Sequence, residues 1–361
     1  MNKKIGIMTT GGDCSGLNAA ILRIVRGAAL RGHKVLGVLD GTDGLTETPP
    51  RIMELNENTP PIEYLRISGS FLKNGDVAAE NFQTAARMNK HKEFQNKMKK
   101  AIADLNLDAM IIIGGNGSLS LAHKNREIYS GIQLVCIPKT IDMDIPLTEK
   151  TIGFDTAVQS LTAFCDQLML TARSHHRWFV VQTMGRDTGH LALNAGIACA
   201  ADAILIPEIK FSGATLAAHL KKQKRDFGIV LVSEGIKLRG HSGQAAEMIA
   251  RELKKHGIAV RTAFPEHTQR AGDTSASDRI LATRFADAAL GAIDNNETYV
   301  MTALRNGAIK TIPLEEMFNA GEILNDPNIP GAMVSNSYVE MTDPLLFTAA
   351  NMGVYVGEIK A

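Results

Sequence analysis

A lysine, a threonine and two aspartates lie close together just after an apolar run at 133–137 that predicts a buried strand; they are Lys139, Thr140, Asp142 and Asp144. Phosphoryl transfer needs a positive charge on the moving group, a base for the attacking hydroxyl and a carboxylate for Mg²⁺. This segment supplies a residue type for each of these tasks. It therefore predicts a phosphoryl-transfer site, and a solvent-exposed acidic turn is the alternative.

Two glycine-rich segments, at 11–16 and 114–118, each follow a predicted apolar strand. The backbone N–H groups of a glycine loop can approach a phosphate closely, and the N-terminus of a helix favours an anion. Neither segment has the GxGxxG or GxxxxGK[ST] spacing, which argues against a dinucleotide-dependent oxidoreductase and against a standard P-loop. Two such segments at one sheet edge predict a polyphosphate site, with two tight turns as the alternative.

Four arginines flank predicted strand starts or ends, namely Arg177, Arg186, Arg261 and Arg270. A guanidinium binds a phosphate in a planar, bidentate way that an ammonium cannot match. Together they predict a cleft that binds a sugar phosphate and neutralises transition-state charge, although each alone is compatible with a surface arginine. Two further candidates are His267, for a substrate oxygen, and Glu234, for sugar hydroxyls.

Strands alternate with helices along the chain. The predicted strands cover 4–9, 34–39, 109–113, 133–137, 178–183, 203–206 and 228–232. The predicted helices cover 17–30, 81–105, 189–200 and 245–255, and a polar, Pro-rich stretch at 46–61 is assigned no helix or strand. Such alternation is typical of mainly parallel sheets covered by helices on both faces. Two blocks of this kind predict two Rossmann-like three-layer α/β domains, with an interdomain active-site cleft beyond the carboxyl ends of the strands.

The chain has 361 residues, of which 45% are hydrophobic and 21% charged, a globular composition long enough for two domains. Lys and Arg (39) nearly cancel Asp and Glu (38), which argues against a general nucleic-acid binder. The four cysteines have no zinc spacing, so free thiols in a reducing compartment are expected. Because no apolar signal segment or run of ~20 apolar residues is present, a cytoplasmic protein without membrane contact is expected.

Five motifs stand in a fixed order along the chain: GGDCSGLN at 11–18, GGNGS at 114–118, PKTID at 138–142, MGR at 184–186 and QRAG at 269–272. This ordered series resembles the phosphofructokinase family, and the resemblance covers about residues 3–310. It implies a glycolytic kinase that transfers a phosphoryl group to the 1-hydroxyl of fructose 6-phosphate, giving fructose 1,6-bisphosphate.

The resemblance also implies a role for each matching residue. Asp142 is the implied base, with Thr140 beside it, while Asp144 assists at the metal and Arg186 stabilises the transition state. The implied sugar-phosphate contacts are Thr140, Asp142, Met184, Gly185, Arg186, Glu234, His267 and Arg270, with Arg177 and Arg261 reaching the 6-phosphate from a neighbouring subunit. The implied donor contacts are Gly12, Gly115, Asn116, Gly117, Ser118 and Lys139, and the implied Mg²⁺ ligands are Asn116, Asp142 and Asp144.

The family pattern implies a division of the chain as well. Residues 1–152 and 269–318 would form a donor-binding domain, and residues 153–268 and 319–361 a sugar-phosphate-binding domain. Since two arginines are implied to complete a neighbour's site, a homodimer or homotetramer is expected.

The phosphoryl donor is open between ATP and pyrophosphate. In the family, glycine at the position of Gly117 goes with ATP and aspartate there goes with pyrophosphate, whereas a lysine at the position of Lys139 occurs in both kinds of enzyme. ATP is therefore the expected donor. Asn116 replaces the family's usual Mg²⁺-binding aspartate, and the stretch at 68–76 lacks its usual donor-phosphate arginine. These departures favour one further alternative, a catalytically weak regulatory paralogue that binds the sugar phosphate.

Overall fold

The computed structural model describes residues 2–75, 91–237, 243–325, 339–340 and 343–358. The chain divides into two compact units. The first unit comprises Met1–Thr140, Ile145–Thr156 and Gly272–Val334, and the second comprises Ile141–Asp144, Ala157–Ala271 and Ser335–Ala361. Which ligand each part of the chain binds stays a prediction.

Strands and helices alternate through most of the described chain, as the sequence predicted. The strands are β1 (Lys4–Thr9), β2 (Lys34–Val38), β3 (Ile52–Leu55), β4 (Ala109–Gly114), β5 (Gln133–Pro138), β6 (Trp178–Thr183), β7 (Ala203–Leu205), β8 (Gly228–Ser233), β9 (Val260–Ala263), β10 (Val300–Arg305) and β11 (Ala308–Pro313). The helices are α1 (Leu17–Leu30), α2 (Gly41–Thr46), α3 (His91–Asp104), α4 (Asn116–Lys124), α5 (Phe154–Ser174), α6 (His190–Ala198), α7 (Gly213–Lys222), α8 (Ala245–Lys255), α9 (Ala276–Asp294), α10 (Leu314–Asn325) and α11 (Pro344–Asn351).

The first unit is built on a seven-stranded sheet with the order β11-β10-β5-β4-β1-β2-β3. The neighbours from β10 to β2 pair in parallel, and the two edge strands, β3 and β11, pair antiparallel. Strand β4 is buried along its whole length, as is typical of a central strand that is covered on both faces. The core around it includes Met8, Ile112, Cys136 and Met301.

The second unit is built on a four-stranded, fully parallel sheet with the order β7-β8-β6-β9. Its core includes Trp178, Val180, Val230 and Leu253. Because the strands are parallel, the carboxyl ends of β6 and β8 lie at the same sheet edge, where Thr183 pairs with Ser233. The prediction of a mainly parallel α/β fold with two sheets is thus confirmed.

Two local predictions differ from the structure, and a third is tested only in part. Residues 116–118, predicted as loop, form the first turn of α4, in which the N–H of Leu119 donates to the carbonyl of Gly115. The stretch at 46–61, to which no element was assigned from the sequence, contains β3, a short edge strand that pairs with β2. The helix predicted at 81–105 is described as α3 from His91 onward, and residues 81–90 lie outside the described residues.

All four cysteines are free, as predicted, and the structure shows that they are buried. Among the helices that the structure describes, none combines the length and the apolar character that a membrane span needs.

Candidate active site

An acidic loop, Ile141–Asp144, belongs to the second unit and carries both candidate carboxylates. Asp142 and Asp144 are partly buried, and Met143 between them has a φ of 56°. This left-handed conformation is uncommon for residues other than glycine, and such conformations cluster at functional sites. The loop therefore holds a backbone conformation that is uncommon for residues other than glycine. An ordinary solvent-exposed turn would not need this conformation.

Charged residues surround Asp142 in the second unit. Burial raises the pKa of the Asp142 carboxyl to about 7, and the carboxylates of Asp144 and Glu234 act in the same direction. Arg270 and Arg186 oppose them by favouring the ionised form. The structure thus brings together five of the residues that the sequence proposed separately.

Arg186 links the two sides of this cluster. Its Nη1 lies 3.8 Å from Oδ2 of Asp144, and its side chain is 65% exposed. Its backbone N–H donates to Oε1 of Glu234 at 2.8 Å, and its φ is 56°. Because the backbone is held while the guanidinium reaches into solvent, the guanidinium is available to an anionic ligand.

The loop before Arg186 has its own constraints. Gly185 has a φ of 133°, and a Cβ at this position would lie 2.7 Å from the carbonyl oxygen of Thr188, so only glycine fits. The N–H of Met184 donates to Oε1 of Gln269 at 3.0 Å. Gln269 is buried and sits beside Arg270 in a 3₁₀ helix, Glu266–Arg270. The sequence placed Gln269 in a motif but did not predict that it supports this loop. Its position next to Arg270 could have indicated a place in the site.

Two hydroxyls that the sequence did not single out complete the hydrogen bonding. Oγ1 of Thr188 lies 2.7 Å from the carbonyl oxygen of Asp142 and donates to it. Oγ of Ser233, the last residue of β8, donates to the carbonyl of Thr188 at 3.0 Å. Threonine and serine are common in loops, and nothing in their spacing marks these two as special.

The remaining candidates divide into two groups. His267 is exposed and precedes Arg270 by three residues in the 3₁₀ helix, and side chains at this spacing share one side of such a helix. Arg177, by contrast, precedes the first residue of β6, and Arg261 pairs with Phe179 near the start of that strand. Since β6 runs roughly 20 Å to its carboxyl end, these two arginines lie away from Asp142. Within one chain, Arg177 and Arg261 are thus separate from the cluster around Asp142, and their action on a neighbour's site stays a prediction.

The candidate donor-binding residues lie in the first unit. A Cβ at Gly11, whose φ is 80°, would lie 3.2 Å from Oγ of Ser118 and 3.4 Å from Nζ of Lys139. The Lys139 ammonium is buried and donates to the carbonyl of Gly12. These contacts bring the two glycine-rich segments together beside one positive charge, which is the arrangement that an anionic polyphosphate needs.

The start of α4 forms the exposed part of this region. Gly115 precedes the helix, and Asn116, Gly117 and Ser118 form its first turn, whose N–H groups have no partners within the helix. Gly117 is exposed, and an added Cβ would meet nothing within 4 Å. Thr140, at the end of the segment that follows β5, is buried, and its carbonyl accepts from Oγ1 of Thr151 at 2.8 Å.

The carboxylates of the acidic loop fit a magnesium ion. In the described part of the chain, no group of three or more His, Cys, Asp or Glu residues is placed to hold a metal. Mg²⁺, however, is usually bound by one or two carboxylates together with water and substrate phosphates. Asp142 and Asp144 are two carboxylates whose charges disfavour each other, and a divalent cation would relieve that repulsion.

Known proteins resemble this chain along nearly all of its length. A family model described as "Phosphofructokinase" matches residues 4–293. The ATP-dependent 6-phosphofructokinase 1 of Nostoc sp. is 35% identical over 374 residues, with 99% of each chain covered. The ATP-dependent 6-phosphofructokinase of Chloroflexus aurantiacus is 36% identical over 327 residues, covering 87% of this chain and 90% of that protein.

Solved structures resemble the fold as well. The phosphofructokinase of Saccharomyces cerevisiae superposes with a TM-score of 0.79 at 27% identity, covering 89% of this chain and 46% of that chain. This chain therefore spans about half the length of the yeast chain that it matches. A pyrophosphate-dependent phosphofructokinase from Marinobacter aquaeolei superposes with a TM-score of 0.73 at 18% identity, covering 88% of this chain and 84% of that one, a likeness of fold alone.

Proposed function

This chain belongs to the phosphofructokinase family, and from that premise we propose that it is an ATP-dependent 6-phosphofructokinase. It transfers the terminal phosphoryl group of ATP to the 1-hydroxyl of fructose 6-phosphate and releases fructose 1,6-bisphosphate and ADP. The observation that carries the proposal is the convergence of a base, a second carboxylate and two arginines at Asp142, Asp144, Arg186 and Arg270.

The sugar phosphate binds to the second unit. Arg270 and His267 share one side of a 3₁₀ helix and are the phosphate and oxygen contacts of the substrate. Oε1 of Glu234 accepts from the N–H of Arg186, which leaves Oε2 for a sugar hydroxyl. Met184 and Gly185, in the loop that Gln269 supports, form the backbone side of the same site.

Asp142 acts as the general base. A sugar hydroxyl is a weak nucleophile at neutral pH, so a carboxylate must orient it and take its proton as the new O–P bond forms. At the same time the bond between the terminal phosphorus and the leaving oxygen of ADP breaks. The guanidinium of Arg186 stabilises the charge on the moving phosphoryl group, and its exposure leaves it free to do so.

The donor binds to the glycine-rich segments of the first unit. The N–H groups at Gly12, Gly115 and the first turn of α4 donate to its phosphate oxygens, and Lys139 neutralises part of their charge. The space at Gly117 favours ATP, because the larger donor needs a position without a side chain. The relatives that cover most of this chain are named for ATP as well.

Magnesium completes the site in this proposal. Asp142 and Asp144 would hold the ion, with Asn116 as a further oxygen ligand. When bound, Mg²⁺ would offset the charge that develops on the donor phosphates. Because asparagine is neutral, the ion depends on the two aspartates more than on Asn116.

A direct assay tests the proposal. Purified protein is incubated with fructose 6-phosphate, Mg²⁺ and either ATP or pyrophosphate, and fructose 1,6-bisphosphate is measured, with the Asp142→Asn variant as control. We expect product with ATP and far less with pyrophosphate. The reverse preference would make pyrophosphate the donor, and saturable fructose 6-phosphate binding without product from either would identify a regulatory paralogue.

We also infer that the active form is a homodimer or homotetramer. Arg177 and Arg261 lie near the amino end of β6, away from Asp142 of the same chain. Closed symmetric oligomers are the commonest assemblies of soluble proteins, and in such an assembly these arginines can serve a neighbouring subunit.

A further inference from the structure

Thr188 is a buried threonine between β6 and α6 whose hydroxyl has no part in the proposed chemistry. Its hydroxyl shares its single proton between two carbonyl oxygens, that of Asp142 at 2.7 Å and, more weakly, that of Gly185 at 3.1 Å. Only 2% of the residue is exposed, so water cannot easily replace these bonds. The shorter of the two reaches the backbone of the residue that we assign as the base.

The hydrogen bond from Thr188 to the carbonyl of Asp142 fixes the peptide between Asp142 and Met143, which lies next to an uncommon backbone conformation. The Asp142 carbonyl belongs to the peptide that leads into Met143, and Met143 has a φ of 56°. A residue in such a conformation persists only when its surroundings hold it there. The Thr188 hydroxyl fixes the orientation of this peptide and therefore the turn from which the Asp142 carboxyl projects.

The backbone of Thr188 is itself tied to the rest of the site. Its N–H donates to the carbonyl of Gly185 at 2.9 Å, and its carbonyl accepts from Oγ of Ser233 at 3.0 Å. Ser233 precedes Glu234, whose carboxylate accepts from the N–H of Arg186. Thr188 is thus hydrogen-bonded to the peptide of the base, to the loop that carries Arg186 and to the end of β8.

We propose that Thr188 is a positioning residue for phosphoryl transfer, acting through the carbonyl of Asp142 to set the direction from which the carboxylate meets the acceptor hydroxyl. The inference rests on the proposed function. A misplacement of about 1 Å in a reacting group can cost about a hundredfold in rate. The hydrogen bond therefore acts on turnover more than on substrate binding.

Two variants of Thr188 separate the hydroxyl from the shape of the side chain. Thr188→Val replaces the hydroxyl by a methyl group, and Thr188→Ser keeps the hydroxyl. We expect Thr188→Val to lower kcat about tenfold to a hundredfold, with the KM for fructose 6-phosphate within about threefold of wild type, and Thr188→Ser to stay within about threefold in both. Wild-type turnover in Thr188→Val, or equal losses in both variants, would overturn the inference.

Thr183→Val is the matched control. Thr183 is a fully buried threonine at the end of β6, and its hydroxyl makes no hydrogen bond within the described chain. The same hydroxyl-to-methyl change here should leave kcat within about twofold of wild type, because it removes no hydrogen bond. A large loss in Thr183→Val would mean that this sheet end tolerates no such change, and the inference would fall.

A double-mutant cycle shows whether Thr188 acts through the base. If it does, Thr188→Val should lower kcat little further in an Asp142→Asn background, since the carboxylate that it positions is already gone. Additive losses would indicate a general structural role and contradict the inference. Should Thr188→Val fail to fold, as judged by thermal melting, Ser233→Ala takes its place in the cycle with a smaller expected loss.

The failure of this inference differs from the failure of the proposed function. A wild-type protein without turnover on either donor ends the proposed function, and this inference with it. An active wild type whose Thr188→Val variant is equally active overturns the inference alone.

Discussion

Asp142 is a carboxyl that the fold keeps largely out of water, between two other carboxylates and two arginines. Burial raises its pKa to about 7, and the arginines keep the pKa from rising further. A general base works best when its pKa lies near the working pH. The environment of Asp142 therefore suits a general base. The raised pKa results from the burial and the neighbouring charges and not from the aspartate side chain alone.

The first prediction compares the two aspartates of the acidic loop. Asn has nearly the shape of Asp but cannot accept the hydroxyl proton, so Asp142→Asn should lower kcat about 10²–10⁴-fold. Fructose 6-phosphate binding should stay within a few-fold, because the arginines are intact. Steady-state kinetics and equilibrium binding on Asp142→Asn and Asp144→Asn check this. If Asp142→Asn turns over normally while Asp144→Asn is inactive, Asp144 is the base.

The second prediction concerns pH. Because the pKa of Asp142 is raised to about 7, its carboxylate gains a proton, and loses its function as base, as the pH falls through this value. The kcat/KM of the wild type for fructose 6-phosphate, which reports the ionisation of the free enzyme, should therefore decline below about pH 7. The residual activity of Asp142→Asn should lack this decline. A wild-type kcat/KM that is flat from pH 8 to about pH 5 would contradict the assignment of the base.

At the scale of elements, the sequence predicted what local patterns determine. Helix α1 was predicted at its observed bounds, because its apolar residues lie on one face and Gly32, with a φ of 76°, follows its end. Strand β3 was missed because it has four residues between prolines and is held by its partner β2 rather than by a pattern of its own. Local sequence does not carry such pairing information.

In the candidate site, too, some residues could be predicted from the sequence and others could not. Residue types identified Asp142, Arg186 and Arg270 as groups suited to phosphoryl transfer. Spacing could not show which arginines meet, because that depends on whether each lies at the start or the end of its strand. Nor could it find Thr188, whose role depends on a backbone carbonyl 46 residues away in the chain.

The third prediction belongs to the first turn of α4. Gly117→Asp places a carboxylate beside the proposed donor phosphates, so the kcat/KM for ATP should fall at least tenfold from charge repulsion. The fold should tolerate it, because an added Cβ meets nothing within 4 Å and an acidic residue near a helix N-terminus is favourable. Melting temperature and the KM for fructose 6-phosphate should therefore change little.

Gly117→Ala is the control for this change, since it adds the Cβ without the charge. A small loss with Ala and a large one with Asp would place the effect in electrostatics. If Gly117→Asp keeps the ATP activity of wild type, Gly117 does not face the donor, and pyrophosphate becomes the better candidate.

At the scale of the whole molecule, the net charge of +1 does not show where the arginines lie. Arg186 and Arg270 lie beside Asp142, whereas Arg177 and Arg261 lie at the other end of the same sheet. Two pairs of arginines at opposite ends of one sheet serve a single substrate phosphate only if one pair acts on another subunit. We therefore expect that one pair of arginines acts on a neighbouring subunit, and this expectation can be tested.

The last prediction tests that expectation by mixing two defective subunits, Arg261→Ala and Asp142→Asn. If Arg261 completes a neighbour's site, a site formed by Asp142 of the first variant and Arg261 of the second is wild type at both positions. Random assembly of equal amounts should then restore about a quarter of the wild-type sites, measured at fructose 6-phosphate concentrations well below the KM. The control mixes Arg270→Ala with Asp142→Asn, whose altered residues act on the same site within one chain, so no site regains both and activity should stay low. Recovery in the first mixture alone supports the shared site, whereas no recovery in either places Arg261 outside the neighbour's active site.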